Sequence, residues 1–197
     1  MKTRIAEKLP LHNLTTHSNL NLYIADYPKT INNRGVVLFS DEPNDIKCVH
    51  ISNPNKILVC FDGFKDNSLP IDIGNCSKQC ECVLFPDRCD ETDWILFIEN
   101  KYANDRVAAF RENRGYPNKM TDQIIETVKY FREKGIIAHD RRVWAIVSFP
   151  NLIEEFNSTI FHGDLSIQDI LSTHKIAIRG TNTATIISEK RIKLNSD

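Results

Sequence analysis

The fold turns on two short runs, "CECVLF" at Cys80–Phe85 and "WILFIENK" at Trp94–Lys101, with eight polar, turn-like residues, Pro86 to Asp93, between them. Each run is apolar enough for a strand, and the spacing predicts a β-hairpin with a long loop. Side chains alternate across a strand. Glu81, Val83 and Phe85 therefore share one face, and Cys80, Cys82 and Leu84 the other. On the second run Ile95, Phe97, Glu99 and Lys101 share a face, opposite Trp94, Leu96, Ile98 and Asn100. A hairpin symmetric about its loop sets 85 against 95, 83 against 97 and 81 against 99. Directly opposed Cβ atoms lie about 5 Å apart. Glu81 then faces Glu99 at the end of an apolar surface, with Lys101 two residues further along. Two facing carboxylates repel unless a positive charge stands between them. Hard carboxylate oxygens suit Mg²⁺ or Mn²⁺, and Lys101 is placed to steady a water or a developing charge.

Downstream, Ile124, Val128 and Phe131 recur at helical spacing and predict an amphipathic helix over Thr121–Lys134, with Thr121 as N-cap and Gly135 just past the end. Val143-Trp144-Ala145-Ile146-Val147 is apolar throughout and predicts a strand within Arg142–Phe149, buried on both sides and next to the hairpin. Ser166, with Asp169 three residues on, opens a further helix. Two strands follow, Lys175–Arg179 and Thr183–Ser188. Tyr102 to Asn113 is ambiguous, with a short helix over Val107, Ala108 and Phe110. A helix between the hairpin and the later strand implies a crossover connection in a mixed sheet.

Upstream, residues 1–75 carry short strand-like runs (Asn21–Ile24, Gly35–Phe39, Cys48–Ile51, Lys56–Phe61) separated by turn formers such as Asn32-Asn33 and Pro43-Asn44. The expectation is one α/β (α+β) domain over 1–197: a mixed central sheet with flanking helices, a β-rich N-terminal part over 1–75, a core over 79–150, and a C-terminal helix and strands over 151–197.

The 197 residues carry a net charge of −1, so no global field announces a nucleic-acid or membrane partner. Locally, Lys101 to Arg142 holds ten Lys/Arg against six Asp/Glu, which suits either a phosphate-facing side or solvated surface. Lys2 and Arg4 are not followed by an apolar stretch, and no run approaches a membrane span. These features predict a cytoplasmic protein with no signal peptide and reduced cysteines. Cys76 and Cys80 have zinc-like spacing but Cys82 and Cys89 do not, which predicts buried or neutral thiols and no structural zinc. No Walker loop, G-x-G-x-x-G, HExxH or G-x-S-x-G occurs.

An acid on one strand, E-x-K on its antiparallel neighbour, then a helix and another strand is an order that resembles the PD-(D/E)-x-K phosphodiesterase superfamily, the restriction-endonuclease-like fold. The segments "CECVLF", "WILFIENKY", "TDQIIETVKYF" and "RVWAIVSF" carry the resemblance, over about Gln79 to Pro150. It implies that Glu81 and Glu99 hold Mg²⁺ or Mn²⁺, that the Asn100 backbone carbonyl adds a ligand, and that Lys101 is the catalytic lysine. Gln123, and Tyr130 on the same side of the helix, are possible accessories, since several relatives carry a polar residue near the site. Many members have aspartate where this chain has Glu81. Pro86-Asp87 spells the motif literally, but Asp87 lies in the predicted loop, about 20 Å along a strand from the Glu99 level.

Three function classes follow. The first is a metal-dependent nuclease acting on nucleic acid, with DNA favoured. The second is an inactive nuclease-fold module that binds nucleic acid or a protein. The third is a small β-rich interaction protein whose Glu99 and Lys101 are incidental.

Overall fold

The computed structural model describes residues 1–27, 35–111, 115–152 and 166–195. A short helix, α1 (Lys2–Lys8), precedes seven strands: β1 (Thr15–His17), β2 (Asn21–Tyr27), β3 (Gly35–Phe39), β4 (Val49–Ser52), β5 (Val59–Gly63), β6 (Pro70–Asp72) and β7 (Asn75–Cys76). The hairpin follows as β8 (Cys82–Pro86) and β9 (Leu96–Asn100). After it come α2 (Arg106–Ala109), α3 (Tyr116–Glu133), β10 (Val143–Ser148), α4 (Ile167–His174), β11 (Ile176–Gly180), β12 (Thr183–Ser188) and β13 (Arg191–Leu194). The class is α+β and mostly strand.

Six strands form the central sheet in the order β1-β5-β8-β9-β10-β11. It is antiparallel from β1 to β9 and parallel across β9, β10 and β11. The parallel part arises because α3 carries the chain from β9 to β10, and because α4 lies between β10 and β11. A second sheet, β13-β12-β4-β2-β3, covers one face of the first. The strands before residue 65 therefore divide between the two sheets, with β5 paired to β8 and β4 to β12, and β6 pairs with β7 in a small sheet of their own.

The central sheet is buried on both sides. Val83, Phe85, Ile95 and Phe97 pack against Ile5 of α1, Ile124, Val128 and Phe131 of α3, and Ile170 of α4. Cys82, Leu84, Leu96 and Ile98 pack against Leu22, Ile24, Val49, Ile51 and Ile186 of the second sheet. Every residue of β8 and β9 is buried. That double burial explains runs without polar alternation. β10 lies inside the sheet between β9 and β11, as its apolar run predicts.

The hairpin register agrees with the sequence reading: Val83 pairs with Phe97 and Leu84 with Leu96. The loop is displaced by about one residue, since β8 runs through Pro86. Two details differ. Cys80 precedes β8 and its N–H donates to Thr127 Oγ1 at 2.8 Å, so the chain bends there. Cys80 consequently packs on the helical side and Cys82 against the second sheet, not on one face. Second, α3 starts five residues before Thr121, with Gly115 as N-cap and Pro117 in its first turn. Thr121 is no cap; its hydroxyl donates back to the Pro117 carbonyl at 2.9 Å. At the other end Gly135 adopts φ +68°, a left-handed conformation that favours glycine.

The Ser166–Asp169 capping box forms as expected. The short helix expected after Tyr102 is α2, and the rest of that stretch beyond Arg111 lies outside the described residues, as does the Asn32-Asn33 turn. No helix among the described residues is long and apolar enough to cross a membrane.

His12 ties the N-terminal segment to this frame. Its Nδ1 lies 2.7 Å from Asp62 Oδ2 and its Nε2 lies 3.0 Å from the Ser68 carbonyl oxygen, with both side chains buried. A carbonyl only accepts, so Nε2 donates; an ionised Asp62 makes Nδ1 donate as well, which defines an imidazolium. Burial alone lowers the His12 pKa, but the Asp62 hydrogen bond and charge outweigh it and the net shift is upward. A raised folded-state pKa stabilises fully below the unfolded value, about 6.5, and that contribution is lost as pH rises through the folded value. Thermal melts stepped upward from pH 6 are expected to show a stability loss above pH 6.5 that His12→Gln lacks.

Candidate active site

Glu81, Glu99 and Lys101 converge where the central sheet's apolar faces run out. Glu81 stands just before β8, with its N–H donating to the Ile98 carbonyl at 3.0 Å and its carbonyl accepting from Phe64 N–H at 2.9 Å. The Ile98 bond is one step off the regular ladder, which ends at Cys82–Ile98. Lys101 follows β9, and its N–H donates to the Ser148 carbonyl of β10 at 2.9 Å. Three neighbouring strands thus hold the site's backbone.

The Lys101 ammonium bridges the two acids, 3.1 Å from Glu81 Oε1 and 2.6 Å from Glu99 Oε1. By the triangle inequality those oxygens stand less than about 6 Å apart. The Glu99 side chain is 0% exposed, Glu81 17% and Lys101 29%. Glu99 is therefore the floor, and Glu81 and Lys101 are its route to solvent. The Lys101 ammonium, 2.6 Å away, is the partner of Glu99 Oε1, whereas Glu99 Oε2 has no hydrogen-bond partner among the described residues.

The electrostatics follow from this geometry. Burial raises the Glu99 pKa well above the usual carboxylate range, the Glu81 charge adds to that, and Lys101 opposes it. Burial also raises Glu81, against the lowering by Lys101. Burial acts to lower Lys101, but the charges of Glu99 and Glu81 overcome it and hold it raised. One cation thus balances two acids, an arrangement with spare capacity for positive charge.

The site opens into a cleft of about 1360 Å³ at the end of the sheet, between α3 and the β2–β3 edge. Lys119 and Gln123 of α3 line it, and Gln123 Nε2 donates to the Gln79 carbonyl at 2.7 Å. With the Thr127–Cys80 bond, this stitches α3 to the approach to β8 and so positions Glu81. Gly63 closes the cleft's inner wall: a Cβ there would lie 2.7 Å from the Val36 carbonyl oxygen.

Tyr130 is not at the site. Its hydroxyl donates to the Pro70 carbonyl at 2.9 Å and its ring is buried in the core, because the α3 face that carries it turns toward the β6 strand. The Asn100 side chain points to the opposite face from Glu99, where its Oδ1 has no partner among the described residues. Asp87 lies at the far end of β8, accepting from Lys2 Nζ at 2.7 Å and from the Cys60 thiol at 3.2 Å.

Two contributors escape the sequence reading. Asp26 of β2 lines the cleft, and its charge raises both Glu81 and Glu99. Its N–H donates to the Tyr102 hydroxyl at 3.2 Å, which in turn donates to the Lys47 carbonyl at 3.0 Å. Nothing local marks Asp26, since it is one polar position in a strand of another sheet. Lys119 carried a signal: Pro117 belongs in a first helical turn, and starting α3 there brings Lys119 onto the helix.

Among the described residues, no group of three or more His, Cys, Asp or Glu side chains is placed to hold a metal ion. The acids directly at the site are two, Glu81 and Glu99. Compared with protein-family models, with curated proteins and with solved structures, the chain matches none.

Removing the cation leaves the buried Glu99 without compensation, which typically costs about 3–5 kcal/mol. Urea denaturation of Lys101→Met is expected to show a loss of that order, and adding Glu99→Gln to the same chain is expected to restore most of it.

Proposed function

We propose that this chain is a metal-dependent phosphodiester hydrolase acting on nucleic acid, with DNA as the favoured substrate. The observation that carries this is two carboxylates, one of them fully buried, converging on a single cation beside an open cleft. The order acid, E-x-K, helix, strand along β8, β9, α3 and β10 supports a restriction-endonuclease-like core.

The donor set fits a hard divalent ion. Mg²⁺ is commonly held by one or two carboxylates, with water and substrate phosphate completing its shell. Glu81 and Glu99 would hold it, with the Asn100 carbonyl as the further ligand that the resemblance suggests. When bound, such an ion supplies an activated water and charge neutralisation at the phosphorus. The protein's own groups do the rest. Glu99, shut away from solvent, would be a rigidly held anionic ligand once the ion's charge offsets its burial. Glu81 is the acid that reaches the cleft. Lys101 lies between them and, on a stem partly open to the cleft, reorients its ammonium toward phosphate oxygens as charge develops there. Lys119, on the α3 wall, offers a phosphate contact that orients the strand.

A second reading, an inactive module that binds nucleic acid or protein, is favoured by two features: Lys101 already occupies the space between the carboxylates, and Glu99 has no solvent path of its own.

Plasmid nicking with Mn²⁺, against the same reaction in EDTA, separates the two readings. Cleavage is expected only with the ion. Glu81→Ala is expected to abolish it, whereas Asp87→Ala leaves it largely intact, because Asp87 is engaged with Lys2 at the other end of β8. No metal-dependent nicking by the unmodified chain would leave the binding-module reading standing.

A further inference from the structure

Residues 64–69 form part of the cleft's rim, where Lys65, Asp66 and Asn67 line it. The ends of this segment are fixed. Phe64 and Leu69 are buried, and Phe64 packs on Phe131 of α3 with ring centroids 5.9 Å apart. Between these anchors Lys65, Asp66 and Asn67 are exposed, and Asn67 takes φ +54°, a left-handed conformation that costs a residue other than glycine. Gln79 spans the turn: its Oε1 accepts from Ser68 N–H at 2.9 Å and its Nε2 donates to the Lys65 carbonyl at 2.7 Å. A further tie comes from another part of the chain, through His12.

His12 is a fixed post. Its N–H donates to the Leu9 carbonyl at the end of α1 at 3.0 Å, and its buried ring meets the Phe64 ring edge-on with centroids 5.4 Å apart. Both ring nitrogens face acceptors, Nδ1 the Asp62 carboxylate at 2.7 Å and Nε2 the Ser68 carbonyl at 3.0 Å. An imidazole donates through both nitrogens only when it is protonated. A neutral ring donates through one and presents a lone pair at the other. The ionised carboxylate is the stronger acceptor, and its Oδ1 has no hydrogen-bond partner among the described residues, so the remaining proton stays toward Asp62. The Ser68 carbonyl then faces a lone pair at hydrogen-bond distance, which repels it.

The surroundings of the ring make this a property of one charge pair. Asp62 of β5 is the charged group that acts on it, while the turn presents the uncharged Phe64 ring and the Ser68 carbonyl. Lys8 at the end of α1, and Lys65 and Asp66 in the turn, are exposed, and water screens them. Burial acts to lower the ring's pKa, and the Asp62 hydrogen bond and charge overcome it, so the net shift is upward.

We propose that His12 is a pH-operated latch on the cleft's rim: its imidazolium holds the 65–68 turn in place, and loss of its proton releases that turn. The latch is fully closed below the ordinary histidine value of about 6.5 and opens as pH rises through the raised folded-state value. The inference does not depend on what the cleft binds.

The test follows two quantities by NMR in the full unmodified chain from about pH 6 to about pH 9. Imidazole ¹⁵N shifts read the charge of His12, and ¹³Cα relaxation, which needs no exchangeable proton, reads the order of the backbone. Lys65, Asp66 and Asn67 are expected to fall from rigid order parameters, about 0.85, to below about 0.6 in step with His12 deprotonation. Trp144 of β10 is expected to stay rigid throughout. Asp62→Asn is expected to keep the turn rigid at every pH, because its amide donates to Nδ1 and leaves Nε2–H of a neutral ring on Ser68. His12→Gln, which does not titrate, is expected to show no step. A ring already neutral at about pH 6, a turn that stays rigid while His12 loses its proton, or a step unchanged in either variant overturns the latch. Loss of order at Trp144 together with the turn also overturns it, since that is general loosening. The coincidence of the two titrations is read in the unmodified chain, so a variant that fails to fold does not remove the test.

Discussion

The central sheet is covered on both faces, by helices on one side and by a second sheet on the other, and the rest of the structure depends on that double burial. A strand buried on both sides has no face for charges, so β8 is apolar along its length and β9 is apolar up to Ile98. Polar chemistry is pushed to where the strands leave the sheet. Glu81 and Lys101 stand just beyond β8 and β9, and Glu99 lies one step inside, where burial leaves its charge dependent on Lys101.

That arrangement sets the character of the cleft. The layers that exclude water from the sheet diverge at its end, with α3 on one wall and the β2–β3 edge on the other. The floor is a buried acid, and the wall carries an acid and an ammonium with partial access to solvent. Such a floor is a poor place for a bare carboxylate and a good one for a carboxylate beside a cation. The structure meets that demand with Lys101, and a hydrolase would meet it with a divalent ion while freeing the ammonium for substrate. In the proposed hydrolase, resting and working states would differ in which cation stands between the acids.

α3 links core and site. Its apolar face packs Phe131 edge-on against Phe97, with ring centroids 5.5 Å apart, beneath the hairpin. Its first turns present Lys119 and Gln123 to the cleft, and Thr127 and Gln123 bond the chain just before Glu81. Moving the helix would disturb the core and the spacing of the acids together. The β6–β7 hairpin is fixed by the same helix through Tyr130. This helix therefore sets the position of the floor and of one rim of the cleft.

The sequence by itself determined the hairpin register, the face shared by Glu99 and Lys101, the strand at Val143–Ser148 and the Ser166 cap. These depend on the two-residue period of a strand and on short-range hydrogen bonds, both of which are local. The approach of Glu81 to Glu99 was legible for the same reason, since one turn connects their strands. The second sheet was not legible: β4 pairs with β12 across more than a hundred residues, and no local pattern encodes that choice. Asp26, carried on that sheet, was hidden with it. The bend at Cys80, which sends two alternating cysteines into different cores, comes from a hydrogen bond to a helix nearly fifty residues on. Tyr130 shares a helix with Gln123, but only tertiary packing decided that one turns to the cleft and the other to the core. Local periodicity fixes which side chains travel together, while long-range burial decides what each meets.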